Sequence, residues 1–132
     1  MSATLFIGID IAKESFQVAS RPAQLHGSYL NTRQGHRDFL RRLPDLDVAL
    51  IVLEATGGYE KPLAAELVQA GYHVVVANPR QVRDFARGLG RLAKTDPIDA
   101  DTLAHFGEIV QPQPKPPQKP QTEALAELVT RR

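Results

Sequence analysis

The stretch LFIGIDIAKESFQVAS, residues 5–20, decides the fold because two different strand patterns meet in it. LFIGID is a continuous apolar run ending in Asp10, which is typical of a strand that is buried on both faces and whose carboxyl end reaches a cleft. SFQVAS alternates, with Phe16 and Val18 on one face, and indicates an antiparallel neighbour with one face partly in water. QLHGSYLN is a third candidate strand, weakened by Gly27. Together these segments predict a three-stranded meander.

The segments that follow alternate between helix and buried strand. Residues 33–43 carry apolar side chains at helical spacing, with Asn31 or Thr32 available as the cap. DVALIVLEA predicts a central parallel strand that ends at Glu54, and HVVVANP predicts the next strand, with a helix between them. Strand, helix and strand in this order imply a right-handed crossover. The expected fold class is therefore α/β with a mixed sheet.

Composition limits the classes of function. The 132 residues are 42% hydrophobic and 23% charged, which is ordinary for one globular domain. A net charge of +1 gives no whole-molecule attraction to nucleic acid or membrane, so any such affinity must come from local patches. The absence of cysteine excludes disulfides and thiolate zinc sites and favours the cytoplasm. No apolar run approaches the roughly 20 residues of a membrane helix, and no membrane role is expected.

A proline-rich segment marks the expected domain boundary. QPQPKPPQKP, residues 111–120, predicts an extended linker, so we expect the α/β domain over residues 1–110. Residues 121–132 carry an apolar stripe at helical spacing that has little to pack on within the domain. We therefore expect a helix there, and either the chain is a fragment of a longer protein or this helix associates with another subunit.

Acidic residues gather at the predicted strand ends and beside Pro97. Asp10 and Glu54 end buried strands, where open α/β sheets bind their ligands. Asp96 and Asp99 are three positions apart, which places them on one face of a helix if both are helical. Carboxylates that are drawn together repel one another unless a cation neutralises them, and oxygen ligands without His or Cys suit magnesium or manganese. Two such ions would support chemistry on a nucleic-acid phosphodiester.

Each acid also has a purely structural interpretation. A final helix is expected from Pro97 onwards, so Asp96 could cap it and Asp99 at its third position could favour its positive end. Glu54 and Asp10 could simply mark where two strands emerge into water. One shared site explains all four acids with fewer coincidences than four separate structural roles.

Basic residues follow the strand HVVVANP at spacings of three and four. They would form a positive face beside the carboxylates, suited to the phosphate backbone of a nucleic acid. The alternative is a charged face that contacts only water. Gly88 and Gly90 are expected to break any long helix in this segment. The candidate nucleic-acid-binding residues are Arg80, Arg83, Arg87, Arg91 and Lys94.

Three long blocks resemble one known family. GIDIAKESFQVA, EATGGYEKPLA and NPRQVRDFARGLGRLAKTDPIDADTLAHF are similar to the signature blocks of DEDD-type transposases of bacterial insertion sequences. The resemblance extends from residue 5 to about residue 110, with the blocks in the family's order. The family's N-terminal domain is similar to Holliday-junction resolvases and ribonuclease H. The resemblance thus implies a ribonuclease H-like (RuvC-like) α/β fold, with an antiparallel meander, added parallel strands and helices on both faces.

The resemblance also implies roles. By motif, Asp10 is the first acid, Glu54 the second, and Asp96 and Asp99 the closing pair, which hold Mg²⁺ or Mn²⁺, two ions in all. The family implies DNA cleavage and strand exchange at element ends, a guide RNA, and homo-oligomers in the bacterial cytoplasm. Its members carry a C-terminal domain with a nucleophilic serine, so the chain is expected to be an N-terminal fragment. Relatives often carry a basic residue where Pro97 stands.

Two other function classes share parts of this pattern. Actin-like ATPases and sugar kinases also begin with a buried strand ending in Asp, but they follow it with Gly and a hydroxyl residue, whereas Ile11-Ala12-Lys13 follows here. A non-catalytic nucleic-acid-binding and oligomerisation module would need only the basic face and the last helix. Such a module would bind equally well with Asp10 and Glu54 changed to amides and without metal.

Overall fold

A mixed five-stranded sheet forms the centre of the protein. The structure, a computed structural model, describes residues 4–55, 57–90 and 98–114. The strand order is β3-β2-β1-β4-β5, with β1, β2 and β3 antiparallel and with β1, β4 and β5 parallel. The predicted meander and parallel strands are confirmed. The strands are β1 Leu5–Ile11, β2 Ser15–Arg21, β3 His26–Leu30, β4 Val48–Glu54 and β5 Val74–Ala77.

Helices cover both faces of the sheet, as expected for a ribonuclease H-like fold. α1 and α2 pack on one face and α3 and α4 on the other. Thr32 rather than Asn31 caps α1, accepting a hydrogen bond from the Gly35 amide at 3.0 Å. No helix among the described residues is long and apolar enough to cross a membrane. The helices are α1 Arg33–Leu40, α2 Lys61–Gln69, α3 Pro79–Gly88 and α4 Ala100–Val110, with a short 3-10 helix Leu43–Asp45.

Alternate residues of β1 face opposite sides of the sheet. Its odd-numbered residues pack in the core beneath α1 and α2. Leu103 and Phe106 of α4 pack with Val52 of β4 in a second core on the other side. Asp10 is even-numbered and therefore shares its face with Gly8, on the side that α4 covers.

Gly8 lets α4 lie directly on the sheet. A Cβ atom at this position would collide with the backbone oxygen of Ala100 and the backbone nitrogen of Ala104. Because no side chain separates β1 from the first turns of α4, the residue before that helix, Asp99, is brought to the strand that carries Asp10.

Two helices differ from the sequence prediction. α4 begins at Ala100, not at Pro97, because Asp99 supplies the cap. α3 forms where only a glycine-broken basic segment was expected, since the Asn78 side chain caps it by accepting from the Arg80 amide at 2.8 Å. Residues 115–132, which include the expected helix 121–132 and most of the expected linker, lie outside the described residues.

Candidate active site

Asp10 and Glu54 occupy corresponding positions on two adjacent parallel strands. Ile9 of β1 pairs with Leu53 of β4, and the two acids are the next residues along each strand. Because equivalent residues of paired parallel strands point to the same face, both carboxyls lie on the side of the sheet that α4 covers. Both residues are half-buried. The acidic ends of the two strands therefore meet at one edge of the sheet.

The pKa values of Asp10 and Glu54 are raised by burial and by the charge of a neighbouring acid. Burial raises the pKa of Asp10 above its ordinary value, and the nearby charge of Asp99 raises it further. Burial also raises the pKa of Glu54, the charge of Asp10 adds to this, and the positive charge of Arg83 opposes it. Asp10 therefore lies within electrostatic reach of both other carboxyls, and bringing the three together costs free energy when all are ionised.

Asp99 has a structural role of its own. Its backbone is extended, with φ −104° and ψ 175°, and its Oδ1 accepts hydrogen bonds from the Thr102 amide at 2.8 Å and the Thr102 hydroxyl at 2.7 Å. Asp99 is therefore the N-cap of α4, and its predicted place inside the helix was wrong. Both bonds end on Oδ1, which leaves Oδ2 as the second oxygen of an exposed carboxylate.

The described residues bring acids near one another without assembling a coordination shell. No group of three His, Cys, Asp or Glu residues in the described ranges is close enough to hold a metal ion. Asp96, the fourth predicted acid, lies outside those ranges. Electrostatic repulsion reaches further than a metal–oxygen bond of about 2.0–2.6 Å, so mutual pKa effects and the lack of a tight cluster are compatible. The donor chemistry fits Mg²⁺ or Mn²⁺, because it consists of carboxylate oxygens alone.

The predicted basic residues divide between two environments. Arg80 and Arg87 of α3 are exposed, and Arg87 forms a long ion pair with Asp84, at 3.9 Å. Arg83 is half-buried and acts electrostatically on Glu54. Arg83 thus belongs to the acidic site, while Arg80 and Arg87 remain available at its border. Arg91 and Lys94 lie outside the described residues.

The loop after β4 contains a buried acid that the sequence did not single out. Glu60 is 5% exposed, and its Oε1 accepts a hydrogen bond from the Gly58 amide at 3.1 Å. Gly57 and Gly58 have φ values of +58° and +93°, a region that side chains disfavour, so this turn depends on both glycines. The only signal in the sequence was an acid directly before Lys61-Pro62, where the proline marks a helix start, and this pattern does not indicate burial.

Comparison with known proteins identifies the family of this chain. Residues 7–132 match a family model for DEDD transposases of the IS110 type, described as "Transposase". Two relatives, the "Pilin gene-inverting protein" of Moraxella lacunata and that of Moraxella bovis, are each 32% identical over an alignment of 124 residues that covers 87% of this chain. The chain spans 38% of the length of these relatives. The chain belongs to the DEDD transposase family.

Proposed function

We propose that this domain carries the acidic half of a metal-dependent DNA transposase or recombinase site, which cleaves and exchanges strands of insertion-sequence DNA. The observation that supports this most directly is the half-burial of Asp10 and Glu54 at the carboxyl ends of β1 and β4, where burial and then a neighbouring acid raise each pKa: Asp99 acts on Asp10, and Asp10 acts on Glu54. Half-buried carboxyls whose repulsion raises their pKa values gain the most from a bound cation.

The acids are the proposed ligands. Asp10 and Glu54, with Asp99 and Asp96 from the segment before α4, would hold Mg²⁺ or Mn²⁺, in all two ions. Bound ions would polarise a phosphodiester and activate the attacking oxygen. Asp10 interacts electrostatically with both Glu54 and Asp99, so it is the proposed ligand that connects the other two. Asp99 keeps its cap through Oδ1, so binding through Oδ2 leaves α4 intact.

The arginines have two separate proposed tasks. Arg80 and Arg87 on the exposed side of α3, with Arg91 and Lys94, would bind the phosphate backbone of DNA and hold it against the site. Arg83 instead partly balances the charge of Glu54, which favours the ionised form of that carboxyl against burial and the charge of Asp10.

The whole protein would extend beyond this domain. We propose an α/β domain over residues 1–110, a linker over residues 111–120, and a connector helix from residue 121 that pairs with another subunit. By analogy with the family, we also propose a further domain that carries the attacking serine, and a guide RNA that binds the protein. The protein would act in the bacterial cytoplasm.

A nuclease assay tests the function. The chain, and longer forms that contain it, would be incubated with supercoiled DNA and Mg²⁺ or Mn²⁺, and nicking would be followed on gels. We expect Asp10→Asn and Glu54→Gln to lower the rate at least about a hundredfold. Asp45→Asn, an exposed acid before the opposite end of β4, is the matched control. Cleavage that is equally fast in all variants would contradict the proposal.

A second candidate is a non-catalytic DNA-binding module, favoured by the absence of a three-residue metal group among the residues described. It predicts that DNA affinity is unchanged by Asp10→Asn and by chelation of metal. The metal-dependent site predicts weaker binding of DNA at the site in both cases.

A further inference from the structure

Asn31 lies between the two loops that flank the acidic strand ends. Its Nδ2 donates to the carbonyl oxygens of Ala12 at 3.0 Å and Tyr59 at 3.2 Å, with that of Lys13 further away at 3.4 Å. Ala12 and Lys13 form the turn directly after β1, and Tyr59 belongs to the loop after β4. A single side chain thus joins the backbone beyond Asp10 to the backbone beyond Glu54.

The orientation of the Asn31 amide is fixed by its surroundings. A flipped amide would point its oxygen at three carbonyl oxygens, which are acceptors only. Oδ1 therefore faces Nε2 of His36, at 2.6 Å, and this ring nitrogen must carry a hydrogen. Both the neutral ring with its hydrogen on Nε2 and the doubly protonated ring can donate this bond. The contact does not depend on the charge of the histidine.

His36 is itself immobilised. The residue is 5% exposed, its ring lies 5.9 Å from that of Phe16, and its amide donates to the Thr32 carbonyl at 2.8 Å. Its Nδ1 lies 3.1 Å from Oε2 of Glu66 on α2, a buried oxygen with no hydrogen-bond partner among the described residues. The distance is short, and a hydrogen bond forms there only when the ring carries a second proton, on Nδ1, or when the Glu66 carboxyl is protonated.

We propose that Asn31 is a positioning residue that clamps the two loops and, through them, keeps Asp10 and Glu54 together against their mutual repulsion, with His36 holding the clamp in place. The link to catalysis rests on the proposed metal-dependent function. The clamp itself rests on contacts within the protein. Nothing in the backbone pairing of β1 and β4 reaches these loops, because the last paired residues are Ile9 and Leu53.

Amide hydrogen exchange in the metal-free protein tests the clamp. The Ala12 amide, which donates to Ser15 at 2.8 Å, reports on the first loop, and the Lys61 amide, which donates to Gly58 at 3.1 Å, reports on the second. We expect Asn31→Ala to raise both exchange rates about tenfold, in line with the loss of the side-chain hydrogen bonds that join the two loops. The amide of Ile51, in the core strand β4, should change much less.

Further variants separate the clamp from general destabilisation. His36→Ala should also loosen both loops, whereas His36→Gln, which keeps a donor, should restore part of the protection. Gln34→Ala removes an exposed side-chain hydrogen bond to Asp38 within α1, the helix that carries His36, and should leave the exchange rates of both loops unchanged. A response in one loop only, or an equal response at Ile51, would overturn the clamp.

Manganese binding decides the functional link separately. We expect Asn31→Ala to weaken Mn²⁺ binding about tenfold relative to the wild-type chain, if loop order sets the spacing of the acids. If the wild type binds Mn²⁺ and the variant binds it equally well, the positioning role is wrong. A wild type that binds no Mn²⁺ would instead remove the proposed function, while the exchange rates would still decide whether the clamp exists.

Discussion

Glu54 and Asp10 end neighbouring parallel strands, where burial raises the pKa of Glu54 and the charge of Asp10 raises it further. Two half-buried acids placed side by side lower the stability of the fold when both are ionised, and ending a strand does not require them. Their cost is the physical reason to expect a cation there, and it leads to predictions that do not require DNA.

Replacing Asp10 should stabilise the metal-free chain. A carboxyl whose pKa is raised on folding contributes stability below its ordinary pKa of 3.8, and that contribution is lost as pH rises through the folded value. At neutral pH we expect Asp10→Asn to raise the free energy of unfolding by about 0.5 kcal/mol, a small value because the group is partly screened by water. Urea unfolding measures this, and Asp45→Asn should change nothing. A destabilised Asp10→Asn chain would mean that the carboxylate is favourably paired.

His36 should give the opposite dependence on pH. Burial lowers its pKa, and the charge of Glu66 only partly opposes this. The unfolded chain then binds the proton more readily, so this stability is present above the ordinary pKa of 6.5 and is lost as pH falls through it. We expect the wild type to lose more stability between about pH 7 and pH 5 than His36→Gln does. Equal losses in urea unfolding would show that His36 does not titrate differently on folding.

The contact between β1 and α4 should not tolerate a side chain. Gly8→Ala would press a methyl group onto backbone atoms of Ala100 and Ala104, which cannot move independently, and we expect a loss of about 3 kcal/mol. Gly88→Ala, at the end of α3, would place its methyl group within 4 Å of no described atom outside its own helix and should be neutral or slightly stabilising. Thermal or urea unfolding of both variants makes the comparison. Similar stabilities would contradict the direct packing of α4 on the sheet.

The exposed arginines of α3 should set the salt dependence of DNA binding. Changing Arg80 and Arg87 to Gln should weaken binding and lower the slope of log affinity against log salt by about two, one for each lost phosphate contact. Arg33→Gln, on α1 at the opposite face of the sheet, is the matched control. If Arg33→Gln lowers the affinity and the salt slope equally, DNA does not bind specifically at the exposed face of α3.

The strands were predictable because their apolar patterns differ in kind. The buried run before Asp10 and the alternation around Phe16 gave the antiparallel pair, and the run before Glu54 gave the parallel neighbour. The boundaries of α3 and α4 could not be predicted in the same way. Asn78-Pro79 fits a turn as well as a helix cap, and Asp96 and Asp99 both fit a helix start.

The polar contacts around the site were less predictable still. Asn31 had a plausible local role as a cap, but its partners are backbone carbonyls 19 and 28 residues away in sequence. Every residue has a backbone carbonyl group, so the sequence does not indicate which carbonyls a side chain will contact. The burial of Glu60 was hidden for the same reason, because its partner is the Gly58 amide.

Titration with Mn²⁺ tests the central claim most directly. Calorimetry would compare the wild-type chain with Asp10→Asn, with Asp45→Asn as the control. We expect the wild type and the control to bind Mn²⁺ alike and Asp10→Asn to bind at least about tenfold more weakly, because the shared carboxylate is gone. Equal binding, or equal absence of binding, in all three proteins would show that these acids do not form a metal site in this chain.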